Sequence, residues 1–380
     1  RSPGAFPSGP PLSGTPPTTS MRASLIALLL TPCTLATADT IHLTSGSKID
    51  DVKIQTEGMD VVVYREGRKN SEVASKDVDR IVYTTKPDLI DQADAAANNG
   101  DWGNAIGDLE AYLAENDEPE RNFKWARDYA LFQRLEYFSY IGTPEQVIEA
   151  ANDLFSLAPE SRHVPTGHTI KADILFLAGD AAGARAALGP FKALIDGRAL
   201  GERWLLEHDL RGVLFDTNLS GDALQTKLTS LDSRARGGYP IIRSRVQVAI
   251  AEGHLVAGKL GEAESIFREV TLSKTASDGS LAAAYYGLGR CLYEAAAAKS
   301  ASGKDASEDF QTALLALLRV TVVYEMHRQY VPAAFYYAGR SFDGMGDEQS
   351  LARAQSMYRK VIARFPDSRW AREAKAFRRG

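Results

Sequence analysis

The sequence is short of cysteine, of histidine and of any surplus of positive charge, and each shortage removes a class of function. Of 380 residues, two are Cys and six are His. Cys33 falls in the leading segment, and without it Cys291 has no partner in the chain. No internal disulfide then holds the fold, which must rest on packing. The 44 Lys and Arg are outnumbered by 49 Asp and Glu, for a net charge of -5. With no cationic surplus to displace counterions, nucleic acid is not an expected partner, and Arg359-Lys360 and Arg378-Arg379 read as solvated positions. Apolar runs are short as well. Ala23 to Leu30 is the longest in the leader, well under the ~20 residues that cross a bilayer, and no later stretch reaches that length. No integral membrane segment is expected once the leader is removed.

Catalytic patterns are missing too. His163 and His168 stand five apart, which does not place two ligands on one helix face. No His-Glu-x-x-His, Cys-x-x-Cys or Gly-x-Ser-x-Gly occurs. Ser302-Gly303-Lys304-Asp305 lacks the hydroxyl and upstream Gly of a phosphate loop. Gly287-Leu288-Gly289 lacks a third Gly and follows no strand. Glu115-Asn116-Asp117-Glu118 sits at a turn. The sequence therefore offers no catalytic, metal or cofactor residue, and the expectation is a protein that is not an enzyme and takes no cofactor.

What is present starts with residues 1–38, a leader and signal peptide. Arg1 to Ser20 are rich in Pro, Gly, Ser and Thr and cannot form a core. Met21 opens a signal-peptide pattern, with Arg22 as its positive region, Ala23 to Leu30 as its apolar region, and Ala36-Thr37-Ala38 as a small-x-small cleavage site before Asp39. Pro32 precedes Cys33 where a lipidation signal wants a small residue, so anchoring through Cys33 is not expected. The signal (about 21–38) makes the expected location periplasmic or secreted, and the Ala- and Gly-rich style reads as bacterial.

Residues 39–85 have strand texture. Thr40 to Leu43, the run holding Ile49, Val52 and Ile54, Asp60 to Tyr64, Ser71 to Ala74, and Arg80 to Tyr83 alternate or are β-branched, with turns at Ser45-Gly46-Ser47, Glu57-Gly58 and Gly67. Lys76 to Asp79 reads as one helical turn. Five short strands with that penultimate turn resemble a small SH3-like or Sm-like barrel. A unit this small is near the lower limit for folding alone, so it is expected to pack on the first helices as a cap, with peptide binding as the alternative.

From residue 86 to 380 the apolar period becomes helical and the pattern repeats. Gly-bearing turns recur at Gly100, Gly142, Gly179, Gly258 and Gly346, where Gly supplies the left-handed geometry that ends a helix. A compact apolar residue follows on the second helix: Ala105, Val147, Ala184 and Ala263. In the last unit, Gly339, Phe342 and Gly346, then Ala354, Tyr358, Val361 and Pro366, reproduce tetratricopeptide spacing, apart from three inserted residues after Asp347. Ala283 to Tyr293 carries the first-helix signature and Val147 to Pro159 the second-helix spacing. The chain thus resembles tetratricopeptide (TPR) repeat proteins, and the tail from Tyr358 to Trp370 is similar to repeats of bacterial envelope proteins. The departures are longer spacings, 42 residues from Ala105 to Val147 and 37 from Val147 to Ala184, against ~34 in the family. The pair from Ala199 to Ala235 is poorly marked, and Lys299 to Ser307 reads as a polar insertion. HEAT-type repeats are the alternative.

The expected fold is mainly α: a right-handed α-solenoid of helix-turn-helix, TPR-like repeats with a small N-terminal β-barrel-like domain. Seven two-helix units are expected at Asp88–Asn116, Arg121–Ala158, Val164–Ile195, Leu200–Ser233, Tyr239–Leu272, Ser280–Val323 and Tyr330–Phe365, with Trp370 to Phe377 as a C-terminal capping helix. The resemblance implies a concave groove of first helices that takes a protein or peptide segment. Its groove positions fall on Tyr129, Phe132 and Glu136, on Tyr286, Arg290 and Tyr293, and on Tyr336, Arg340 and Asp343. The implied function is an exported protein–protein interaction scaffold in cell-envelope assembly or organisation. A non-catalytic subunit, or an enzyme whose site is assembled from scattered residues, is the alternative.

Overall fold

The computed structural model describes residues 38–377. The leader, the signal pattern, Cys33 and Arg378-Arg379 lie outside the described residues.

Five strands open the described chain: β1 (Asp39–Leu43), β2 (Lys48–Glu57), β3 (Val61–Glu66), β4 (Lys69–Ala74) and β5 (Val78–Val82), in the spatial order β4-β3-β2-β1-β5. All neighbours are antiparallel. Alternation sends Ile41, Val52, Ile54, Val62 and Tyr64 into the interior, as period-two burial requires. Gly46 and Gly67 turn the chain with φ of +86° and +57°. A 3-10 turn at Ser75–Asp77 carries it from β4 to the far side of β1.

The barrel-like expectation needs correction. Among the described residues β4 and β5 pair with each other nowhere, so the sheet is open, with these two strands as its edges. A sheet of five short strands cannot hide its apolar face by itself, and helices cover it instead. Ile41, Val52, Ile54 and Val62 share one core with Ile90, Ala93, Ala126 and Ala130. Tyr83, just past β5, stacks on Trp125 with ring centroids 3.6 Å apart.

Fifteen helices follow among the described residues, fourteen of them as hairpins: α1 (Asp88–Asn98) with α2 (Trp102–Glu115), α3 (Ala126–Ile141) with α4 (Pro144–Leu157), and α5 (Val164–Leu177) with α6 (Ala181–Arg198). Next come α7 (Glu202–Leu214) with α8 (Gly221–Ala235) and α9 (Pro240–Val256) with α10 (Leu260–Thr271). The last two pairs are α11 (Asp278–Ala301) with α12 (Ser307–Val323) and α13 (Val331–Met345) with α14 (Glu348–Arg364), and α15 (Arg369–Lys375) closes the array. Each helix packs on the next, and each first helix also touches the first helix of the following pair. This is the α-solenoid of TPR-like hairpins expected from the sequence.

Local chemistry explains the boundaries. Asp101, Asp180 and Asp347 accept backbone N–H groups at the starts of α2, α6 and α14, the usual service of an N-cap carboxylate. Thr143 and Gln146 form a reciprocal capping box on α4. Gly100, Gly179, Gly258 and Gly346 have φ between +75° and +88°. Gly142 departs from that expectation, with φ of -76°. Its chain turns in extended geometry, and a Cβ there would sit 2.8 Å from the Phe138 carbonyl oxygen, so closeness rather than handedness calls for Gly. The polar stretch from Lys299 forms little loop: α11 runs on to Ala301, making it 24 residues long.

The sheet is fastened to the array at the end of β2. Met59 N–H donates to the Glu160 carbonyl (2.6 Å) and Arg162 N–H to that of Glu57 (3.2 Å). The buried Glu57 carboxylate accepts from the Arg162 guanidinium.

Candidate functional site: the lumen of the helical array

Successive first helices curve around a cavity of about 590 Å³, walled by α3, α5, α7, α9, the start of α11 and the turn before α13. A wall drawn from five consecutive first helices is the concave side of the array. The curvature sets Asp278, at the start of α11, and Tyr140, near the end of α3, on the wall of the same cavity.

Charged side chains line this wall. Arg211 on α7 makes a two-pronged contact with Asp173 on α5, Nε to Oδ1 at 2.9 Å and Nη2 to Oδ2 at 2.7 Å. Its Nη1 donates to Glu207 Oε2 (2.6 Å), which also accepts from Arg245 Nη1 on α9 (2.6 Å). Burial alone would raise the Glu207 carboxyl, but the two guanidiniums hold it below the usual range. Such forked, charge-assisted bonds fix geometry as well as charge. Both lumen arginines are therefore committed to carboxylates within the wall.

The other acids are less well matched. Glu252 on α9 opens to the lumen yet is walled in by protein, which pushes its pKa up to about 7 against a weaker opposing pull from Arg290. Glu136 is raised by burial and accepts from the Tyr140 hydroxyl at 3.4 Å. Asp278, at the first position of α11, has no ion-pair partner among the described residues. Tyr330 lines the same space, the ionisation of its hydroxyl suppressed first by burial and then by Glu252. The lumen is thus a polar cavity in which Glu136, Glu252 and Asp278 have no ion-pair partner among the described residues.

Cys291 is buried, and that burial pushes its thiol up to about 11, away from the thiolate a nucleophile needs. Among the described residues no three His, Cys, Asp or Glu side chains gather as a metal site.

The nine residues placed by family resemblance do not form one surface. Glu136 lines the lumen. Tyr129 donates to Asp94 (3.0 Å) and meets Tyr83 and Trp125 edge-on, so it belongs to the seam between sheet and helices. Phe132 stacks on His163 at 4.2 Å in the same region. Tyr286 leans on Tyr330 (5.8 Å) and Arg290 lies over Tyr337 (5.9 Å), both adjoining the lumen from behind Glu252 and Tyr330. Tyr293 is buried edge-on to Tyr337. In the last hairpin Tyr336 lies against Trp370 (5.2 Å), Arg340 covers Phe377 (4.3 Å), and Asp343 accepts from Tyr358 (2.5 Å). The capping helix α15 stands where a further first helix would stand, so this face of α13 is an internal contact.

Residue-by-residue reading of the sequence passed over Asp173, Arg211, Arg245, Glu252, Asp278 and Tyr330. A signal was present. Glu207 and Arg211 stand four apart on α7, and Arg245, Ala249 and Glu252 fall four and then three apart on α9, one face in each case. Charges on that face of first helices mark a wall held by polar contacts rather than apolar ones.

No protein-family model matches the chain, and the comparison with curated proteins finds no match. Several solved structures are similar in architecture. One is a signal-transduction ATPase with numerous domains from Pyrococcus horikoshii, with a tetratricopeptide repeat sensor: 14% identity, TM-score 0.43, covering 76% of this chain and 42% of that one. A tetratricopeptide repeat protein from Parabacteroides merdae is similar at 12% identity and TM-score 0.43, over 76% of this chain and 96% of that one. PilW, a type IV pilus biogenesis factor, is similar at 13% identity and TM-score 0.31, over 75% and 96%. The chain thus spans less than half of the ATPase it matches.

Proposed function

We propose that this chain is a non-catalytic scaffold that captures an extended segment of a partner protein in the lumen of its helical array. The observation that carries this reading is the lumen itself, where α3, α9, α11 and the turn before α13 bring Glu136, Glu252, Asp278 and Tyr330 to one space, the three acids without an ion-pair partner among the described residues. A polar concave wall with unsatisfied groups gains most from a ligand that brings its own backbone and side-chain donors. The signal-peptide pattern from Met21 to Ala38 supports export, and with it a periplasmic or secreted role in organising the cell envelope.

The test is site-specific photo-crosslinking in cells that express the full chain. A photoreactive residue at Glu252 or Asp278 should give a discrete adduct with a partner protein, and Glu136→Arg should abolish it. The same group at Leu315, exposed on α12, should give none. Equal adducts from Leu315, or none from the lumen positions, removes the assignment. Amino-terminal sequencing of the exported protein should begin at Asp39.

A further inference from the structure

A second cavity, of about 580 Å³, lies between the sheet and the helices, bordered by β5 and the 3-10 turn on one side and by α3, α5 and α7 on the other. Two features set it apart from the lumen. The first is an available strand edge. β5 pairs with β1 alone, so its outer side has no strand neighbour. Val78, Asp79, Arg80 and Ile81 all border the cavity in succession. The register of β5 against β1 slips at Asp79, where two steps of β5 match one of β1, and this bulge, on a strand with no outer neighbour, brings four consecutive residues to one space.

The second feature is charge of the opposite sign to the chain as a whole. Lys76, Arg80 and Arg203 line the cavity, and none takes part in an ion pair among the described residues. Arg203 instead lies over the Trp204 ring at 5.0 Å. Of the lining acids, Asp60 is already paired with Arg198 at 3.3 Å, which leaves Asp79. On the floor His163 is buried, its Nε2 without a hydrogen-bond partner and 3.7 Å from Glu57. Three cations outside any ion pair, of which Arg203 also acts on Glu207, against one such lining acid make the cleft locally positive in a chain of net charge -5.

We propose that this cleft is a second binding site, which takes an extended acidic segment of a partner polypeptide as an added strand on β5. Backbone pairing along the free edge supplies affinity, and alternate carboxylates of the segment meet Lys76, Arg80 and Arg203. The chain's own leader does not suit the site, because residues 1–37 contain two Arg and no Asp or Glu. A second copy suits it no better. Two β5 strands paired about a two-fold axis at Arg80 would set guanidinium against guanidinium.

The experiment probes an array of capped random decapeptides with the labelled full chain and measures the brightest by fluorescence anisotropy. Bound peptides should carry Asp or Glu at alternate positions. Arg80→Glu and Arg203→Glu should each weaken the best peptide at least tenfold, while Glu136→Arg in the lumen leaves it unchanged. Methylating the amide nitrogens of one alternate set of residues should weaken it tenfold, and methylating the other set should not. Should Arg80→Glu fail to fold, Arg203→Glu with the N-methyl series decides the matter. The proposal is overturned by an array with no binders, by selected peptides that are basic or uncharged, or by indifference to the Arg and N-methyl changes. It is also overturned if single-stranded oligothymidine binds more tightly than any decapeptide, or if the chain dimerises in a way that Arg80→Glu abolishes.

Discussion

At the scale of single residues, the array depends on places where a helix has no side chain to offer. A Cβ on Gly287 would fall 2.2 Å from the Phe267 ring, and one on Gly339 2.5 Å from the Tyr358 ring. Both contacts join a first helix to a second helix inside a sealed core, where added volume has nowhere to go. Gly287→Ala and Gly339→Ala should each destabilise the fold by about 1–3 kcal/mol in urea titration. Gly107, on the exposed side of α2 with open space around it, should respond the other way, Gly107→Ala stabilising by about 0.5–1 kcal/mol through helix propensity. Glu252 makes a prediction in pH. Its pKa moves from 4.5 to about 7 on folding, so the native state holds a proton that the unfolded state has released. Stability contributed by that proton is present below pH 4.5 and is lost as pH rises towards 7. Melting curves should therefore show Glu252→Gln equal to the parent at pH 4.5 and more stable than it at pH 8.

Among elements, the contact that matters most is the one between β2 and the turn joining α4 to α5. Glu57 is 3% exposed and its carboxyl is raised by burial in spite of Arg162. Arg162→Ala strands that carboxylate, a loss of about 3–5 kcal/mol for a buried pair broken on one side. The loss should shrink at pH 5, where Glu57 can take up a proton, and hydrogen exchange should show β2 opening ahead of α3. This seam was only half legible in the sequence. Alternation in Thr40 to Tyr83 gave the strands, and Gly100, Gly179 and Gly346 gave the hairpins, because these signals are local. That β4 and β5 stay apart was not legible, since it depends on helices α1 and α3 filling the space a closed barrel would keep for itself. The groove positions failed to assemble for a similar reason. Tyr336, Arg340 and Asp343 have groove spacing along α13, but whether they face a ligand or α15 is decided by the chain beyond the last repeat. The pair α7–α8, poorly marked in sequence, is where apolar contacts share their helix faces with Glu207 and Arg211.

At the scale of the whole molecule, stability is spread over several cores rather than one. The core at α7–α9 holds Leu206, Leu210, Leu228, Leu231, Ala235, Ile242, Val246 and Ala249, fewer buried groups than the cores on either side. Linear arrays unfold by their weakest junction. Native-state hydrogen exchange should find α7 and α8 opening together at lower free energy than α11–α14, and calorimetry should show more than one transition. The curvature that sets Tyr140 and Asp278 on the wall of one cavity leaves that cavity open along one side. Under the proposed function a segment is laid in from the flank rather than threaded, so a client tied at both ends into folded domains should be held as readily as a free tail.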